Sequence, residues 1–435
     1  MRIVRMPVFW LAALLCCAPV FAAADPDALA QALDRVNQRL DQLEQQNRQL
    51  SERVEELTRQ NQSLRAGAQS SAVTSASAPA QVATPAAVSA AAPREEWESR
   101  IRLGGDFRFR HEQIDNEASA HARPRESVRA HLNAAIRISD DIKGEVGIGS
   151  GGRDPRGGSS TLGEAASRKE IGLDLAYMTW RATEQLTLTA GKMREPYVRP
   201  GRSQFFDNEI RPEGIAFNYR DKHGIFGSAF NFWLEERSTA PDSMLRGGQV
   251  GWDGALGTTA LKAGMGYYDY HNVQGRNPNF GGGVVNQFGN TVFGSGANAV
   301  YAYDYDIGQL FAELTVPMAG IPLNVYADYG HNFEAENGLD TAYSFGVLVG
   351  KASAPGRWEA GVLTQRVEKD ALFGQWVDSD FGSGITDNDG YVWRVAWMAM
   401  KNVLINATYY DTQYNVDVGN ETDYDRWQLD LNFTF

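Results

Sequence analysis

The spacing of apolar residues changes along the chain, and each spacing predicts a different element. Val8 to Cys17 form an apolar run behind Arg2 and Arg5, with Ala22, Ala23 and Ala24 after it. The run is too short to cross a bilayer as a helix. It has the charged start, apolar middle and small-residue exit of a secretory leader, so residues 1–24 are expected to be removed. From Leu29 to Leu64, apolar residues recur at alternating intervals of four and three, through Leu33, Leu40, Leu43, Leu50 and Leu57. Gln, Arg, Glu and Asp fill the positions between. This is a heptad seam, with Asn47 and Asn61 at positions where a buried amide fixes register. One helix cannot bury so narrow a stripe, so residues 25–65 are predicted to be a coiled coil joining copies of the chain. Two and three strands both satisfy the seam. Residues 66–97 are mostly Ala, Ser, Val, Pro, Thr and Gln without a period, which reads as a flexible tether.

Beyond residue 97 the period falls to two. Ile101, Leu103, Gly105, Phe107 and Phe109 alternate with Arg102, Asp106, Arg108 and Arg110. Val128, Ala130, Leu132, Ala134 and Ile136 alternate with Arg129, His131, Asn133 and Arg137. At the end of the chain, Trp427, Leu429, Leu431, Phe433 and Phe435 alternate with Arg426, Gln428, Asp430, Asn432 and Thr434. A soluble sandwich would have to cover five large apolar groups on these last residues. A lipid-facing strand that closes a barrel needs no such cover. Short polar turns near 139–141, 182–185, 221–224, 253–257, 317–321, 352–356 and 400–402 alternate with long loops. The loops lie near 112–126, 151–169, 195–212, 236–245, 271–304, 333–340, 369–389 and 414–423. Long loops on one side and short turns on the other are the habit of outer-membrane barrels. Residues 98–435 are therefore expected to form an all-β transmembrane barrel of about 16 antiparallel strands, with Phe435 at its closure.

Charge and chemistry then exclude several roles. The net charge is −13, with 41 basic and 54 acidic side chains, and becomes more negative once Arg2 and Arg5 leave with the leader. Such a chain repels nucleic acid. Its two cysteines, Cys16 and Cys17, both lie in the leader, so the mature protein has no thiol chemistry. The histidines, at 111, 121, 131, 223, 271 and 331, lack metal-ligand spacing. No nucleophile elbow, P-loop or CxxC is present, so no enzyme activity, cofactor or metal is expected. Gly281, Gly282 and Gly283 read as loop flexibility.

The most informative internal stretch is Gly191-Lys192-Met193-Arg194-Glu195-Pro196-Tyr197, followed by Arg211-Pro212-Glu213-Gly214. With the terminal Phe435 strand, this segment resembles the Gram-negative outer-membrane porins that carry an N-terminal coiled coil. It is more distantly similar to the phosphate-selective porins. The resemblance implies a barrel of sixteen or eighteen strands in the outer membrane, often trimeric, with the coiled coil in the periplasm. Phosphate-type porins line the lumen with dense Arg and Lys. Here the inward set also holds Asp106, Glu145, Asp174, Glu313, Asp328 and Glu359, a departure that leaves anion preference open.

Loop 195–212 follows the fifth expected strand, the place from which general porins fold a loop into the channel. Such a fold would set Asp207 and Glu209 against Arg102, Arg108, Arg110, Arg129 and Arg137 on the inward faces of the first two strands, with Arg211 in the same constriction. Opposed charges across a narrow path orient water and favour small polar solutes. The expected function is passive diffusion of small hydrophilic solutes or ions across the outer membrane. The alternative is a structural or adhesive protein whose coiled coil reaches the periplasm or peptidoglycan. An open lumen favours the first and a lumen filled by its own loops favours the second.

Overall fold

Period-two alternation becomes a closed wall. The computed structural model describes residues 100–280 and 284–435. The expected leader, the coiled coil with Leu33, Leu40, Leu43, Leu50 and Leu57, the tether and Gly281 to Gly283 lie outside the described residues. Among the described residues, sixteen long antiparallel strands form the barrel. They are β1 (Ile101–Asn116), β2 (Arg123–Arg137), β3 (Ile142–Ser150), β4 (Ile171–Arg181), β5 (Leu186–Lys192), β6 (Glu213–Arg220), β7 (Ile225–Glu235) and β8 (Ser243–Leu256). There follow β9 (Thr259–His271), β10 (Tyr305–Met318), β11 (Ile321–Asn332), β12 (Thr341–Gly350), β13 (Trp358–Val367), β14 (Asn388–Met400), β15 (Val403–Tyr414) and β16 (Thr422–Thr434). Each pairs with its sequence neighbour, and β1 pairs with β16 from Asp106↔Thr434 to Asn116↔Tyr424, which closes the sheet. A closed sheet leaves no unpaired edge, and that is the condition for crossing lipid with strands.

Burial is the reverse of a soluble protein. On β16, Trp427 and Leu429 are more than half exposed while Arg426, Gln428 and Asp430 are almost wholly buried. The same inversion holds on β1, where Leu103, Phe107 and Phe109 face out and Arg110 and Glu112 face in. At the seam, Phe435 and Gly105 exchange backbone hydrogen bonds, both 3.1 Å. A Cβ at Gly105 would meet the His131 carbonyl at 2.2 Å and the Phe435 ring at 2.8 Å, so only glycine admits this terminal residue.

Seven turns and eight loops alternate at the places the sequence predicts, though the turn 351–357 is as long as the loops 236–242 and 415–421. The first loop is shorter than expected. Strands β1 and β2 run on to Asn116 and back from Arg123, because Glu112 and Arg125 pair across the register inside the barrel. Charges placed on the lumen face extend a strand where they would otherwise mark a loop.

The lumen is unevenly filled. Phe230 and Phe232 of β7, Tyr268 and Tyr270 of β9, and Tyr305 of β10 point inward and form an aromatic core. Met193, Tyr197, Phe205, Phe206 and Ile210 of loop 193–212 and Leu372, Phe373 and Trp376 of loop 368–387 pack onto them. Phe230 and Phe232 stack at 4.8 Å, and Tyr270 lies 4.7 Å from Phe373. On the other side, against β1, β2 and β13 to β16, a polar cavity of about 1100 Å³ remains.

Candidate functional site

Loop 193–212 separates the aromatic core from the cavity. Its apolar side chains enter the core, while Glu195, Arg199, Arg202, Asn208 and Glu209 line the cavity. The loop has no regular structure, so its backbone groups need partners where it is buried against the wall. Inward polar side chains of the wall supply them. Gln249 of β8 accepts from Val198 N at 2.7 Å, Glu313 of β10 from Gly201 N at 3.1 Å, and Gln365 of β13 from Gln204 N at 3.2 Å. Asp328 of β11 accepts from Ser203 Oγ at 2.7 Å. Gly201 has φ +51°, and a Cβ there would lie 2.2 Å from the Tyr326 ring. A side chain would lift the loop off that ring.

The β1–β2–β16 wall carries alternating charges that tie two loops to it. The register sets Asp106 opposite His131, Arg108 opposite Arg129 and Arg110 opposite Ser127. Asp106 accepts from Arg129 and His131, both at 2.9 Å. Arg129 also donates to Glu209 of loop 193–212, and Arg108 lies 3.6 Å from the same carboxylate. Glu209 further accepts from Gly158 N. Arg110 donates twice to Asp430, at 2.6 and 3.0 Å, and once to Asp380 of loop 368–387 at 3.1 Å. Arg426 reaches Asp380 at 2.9 Å and also pairs with Glu112. The cavity lining as a whole holds nine arginines and nine carboxylates, in a chain whose net charge is −13.

The loop carboxylates respond to these surroundings differently. Burial pushes the Glu209 carboxyl up, but Arg129 and Arg108 outweigh it and hold the group below the usual range. Asp380 is likewise held down, with Arg426 and Arg110 outweighing its burial. Asp207 is pushed well above the carboxylate range by burial, then by Asp378 and Glu209. Asp378 is pushed up to about 6 by burial and then by Asp380.

Three of the eight sequence-derived constriction residues meet, Arg108 and Arg129 of the wall with Glu209 of the loop, and Arg110 lines the same cavity but is held by Asp430 and Asp380. Asp207 is placed otherwise. It is buried, accepts from Glu209 N at 2.8 Å and Ser379 N at 2.9 Å, and so joins the two loops without meeting an arginine of the wall. Arg102 and Arg137 lie toward the short-turn end, outside the cavity lining, because the strand tilt carries their positions past it. Arg211 turns to Asp174 at 3.4 Å and to the carbonyls of Asn208 and Ile210. Sequence reasoning missed Asp380, Arg426, Asp430, Arg202, Arg394 and the entry of loop 368–387 into the lumen. The signal for that loop was its run of large apolar residues, Leu372, Phe373, Trp376, Val377 and Phe381, which a solvated loop does not need.

The family model described as "Putative porin" matches residues 114–291 and 285–435. Among solved structures, the chain is similar to the high-pH structure of Pseudomonas putida OprB, with 10% identity over 78% of this chain and 95% of that one, at a TM-score of 0.54. That is a likeness of fold. The loop L8 deletion mutant of OmpT from Vibrio cholerae shares 12% identity over 77% of this chain and all (100%) of that one, at 0.46. The outer membrane channel DcaP of Acinetobacter baumannii shares 11% over 77% and 97%, at 0.45. No curated protein sequence matches the chain.

Proposed function

The chain belongs to the family described as "Putative porin" and is an outer-membrane barrel with a channel role; on that premise we propose that small hydrophilic solutes and ions diffuse passively through its polar cavity, past a charged constriction formed by Arg108, Arg110, Arg129 and Glu209. The observation that carries this reading is the extent of the cavity beside the aromatic core. Its lining runs along β16 from Thr434, at the short-turn end, to Arg426, toward the long loops. Eight residue steps at ~3.3 Å each cover most of a hydrocarbon layer about 25 Å tall. Every inward position of β16 over that length is polar, while Leu363, Val392 and Leu404 add apolar patches on β13 to β15; opposed charges across the cavity give a transverse field that favours hydrated polar solutes over apolar ones.

In the same reading residues 25–65 form a periplasmic coiled coil that joins copies into a homo-oligomer, with a trimer as the expected state. Leu33, Leu40, Leu43, Leu50 and Leu57 supply its seam, and the tether 66–97 links it to the barrel. One observation favours a second reading, a structural or adhesive protein anchored toward peptidoglycan: the aromatic core, with the two loops packed on it, fills part of the lumen. Single-channel conductance of the purified full-length protein in a planar bilayer decides between them. The channel reading expects stable, ohmic conductance steps. Folded barrels that insert and never conduct would overturn it in favour of the structural role.

A further inference from the structure

Three strands further round the cavity wall from β1, past β16 and β15, the lining is built differently. There Arg202 of loop 193–212 and Arg394 of β14 both line the cavity and share one carboxylate, Glu359 of β13. Arg202 donates to Glu359 at 2.9 Å. Arg394 Nε lies 3.8 Å from the same carboxylate, beyond hydrogen-bond reach, and is buried without a hydrogen-bond partner. A guanidinium has five donors and normally finds acceptors when buried. The other acids nearby are committed. Asp430 is held by Arg110 through two hydrogen bonds, and Glu313 by Lys262, Asn324 and Gly201 N. Two cations against one anion, at a cavity wall, leave one positive charge uncompensated.

We propose that Arg202 and Arg394 form an oxyanion-binding subsite in the cavity, which takes the carboxylate or phosphate group of a small solute. This deepens the channel reading and rests on it. Guanidinium forks match the paired oxygens of both groups, and a charge-assisted pair is stronger than a neutral one. Gly201 on the Tyr326 ring fixes the height at which Arg202 enters, so the two arginines are held on separate elements, one on loop and one on wall, with the solute between them. Glu359 orients both and competes with the solute for them. Water satisfies a neutral donor, but it does not balance the surplus charge.

The test uses full-length protein in a planar bilayer in dilute KCl, titrated with sodium phosphate, with sodium succinate and, as a neutral control, with glycerol. Phosphate, succinate or both should lower the chloride current with saturation, and the two titrations separate phosphate from carboxylate preference. Arg394→Ser and Arg202→Ser should each raise the half-blocking concentration about tenfold. Glu359→Gln removes the competitor and should lower it several-fold. Isothermal titration of the same detergent-solubilised protein with phosphate and succinate reads the subsite without any current, so loss of conductance and loss of binding are separate failures. Half-blocking concentrations unchanged in both arginine variants, tighter binding lacking in Glu359→Gln, or block by glycerol equal to that by the anions would overturn the subsite. Heat-modifiable electrophoretic mobility verifies that each variant has folded.

Discussion

Glu209→Gln is the substitution that most sharply separates fixed charge from structural anchoring. Glu209 is the only carboxylate that loop 193–212 presents to Arg108 and Arg129, at 3.6 Å from the first and hydrogen-bonded to the second. Removing its charge leaves Arg129 paired with Asp106, and Arg108 with only the more distant field of Asp430. The loop itself should stay in place, because Phe205, Phe206 and Ile210 remain buried in the aromatic core and Gln365, Asp328 and Glu313 still hold its backbone and Ser203. The effect should therefore be electrical. A unit charge about 6 Å from an ion's path is worth ~0.7 kcal/mol at bulk-water permittivity and ~3 kcal/mol at an effective permittivity of about 20. In a water-bearing cavity the lower part of that range applies, which is a ~3- to ~10-fold change in relative permeability toward anions. The assay is the reversal potential across a KCl gradient at low ionic strength. The shift should shrink at high salt, because the Debye length falls from ~10 Å at 0.1 M to ~3 Å at 1 M. Asp207→Asn is the matched control. Asp207 meets no arginine of the wall and its carboxyl is pushed well above the usual range, so its loss should alter selectivity little. Equal shifts in the two variants, or no shift in Glu209→Gln with conductance intact, would refute the assignment of charge control to Glu209.

Other perturbations read other parts of the molecule. Phe206→Ala opens a void between Tyr197 and Tyr268, whose rings lie 5.5 and 5.4 Å from it. It should cost ~3–5 kcal/mol in unfolding measurements and raise single-channel conductance as loop 193–212 loosens. Leu429→Arg places a charge on the lipid face near the middle of β16 and should cost ~2–4 kcal/mol in folding into vesicles, while Leu429→Ala should cost far less. Asp378, raised by burial and then by Asp380, is protonated in the folded loop below about pH 6. A carboxyl raised on folding favours the folded state at low pH and loses that advantage as pH rises through its folded value. Thermal unfolding midpoints should thus fall from pH 5 to pH 8 more steeply in wild type than in Asp378→Asn; equal slopes would remove Asp378 from the account. Leu43→Asp with Leu50→Asp should reduce cross-linked oligomers, and retention of the full oligomer would shift assembly to the barrels.

The sequence alone determined the wall. Alternation in β1, β2 and β16, the seven short turns and the eight long loops read directly from residue order, because a barrel strand repeats its environment every second residue whatever surrounds it. It also carried the pairing of Glu209 with a basic wall, since loop position and strand parity are both local. The interior needed the tertiary structure. Strand β7, Ile225–Glu235, carries Phe226, Phe230 and Phe232 inward and Ile225 and Trp233 outward, so apolar residues on both faces hide the alternation. What lies opposite those rings is decided by loops as distant in sequence as the one that carries Trp376, and no periodicity reports that. The same holds for the charges. Asp328 and Glu313 read as open lumen acids, yet they are anchors for Ser203 and Gly201 N, and this withdraws them from the solute path. Arg394 and Arg202, which are 192 positions apart, face one carboxylate only because the loop crosses the barrel. Charge type is written in the residue, but whether that charge is compensated depends on which distant backbone or side chain folding brings within about 3 Å of it.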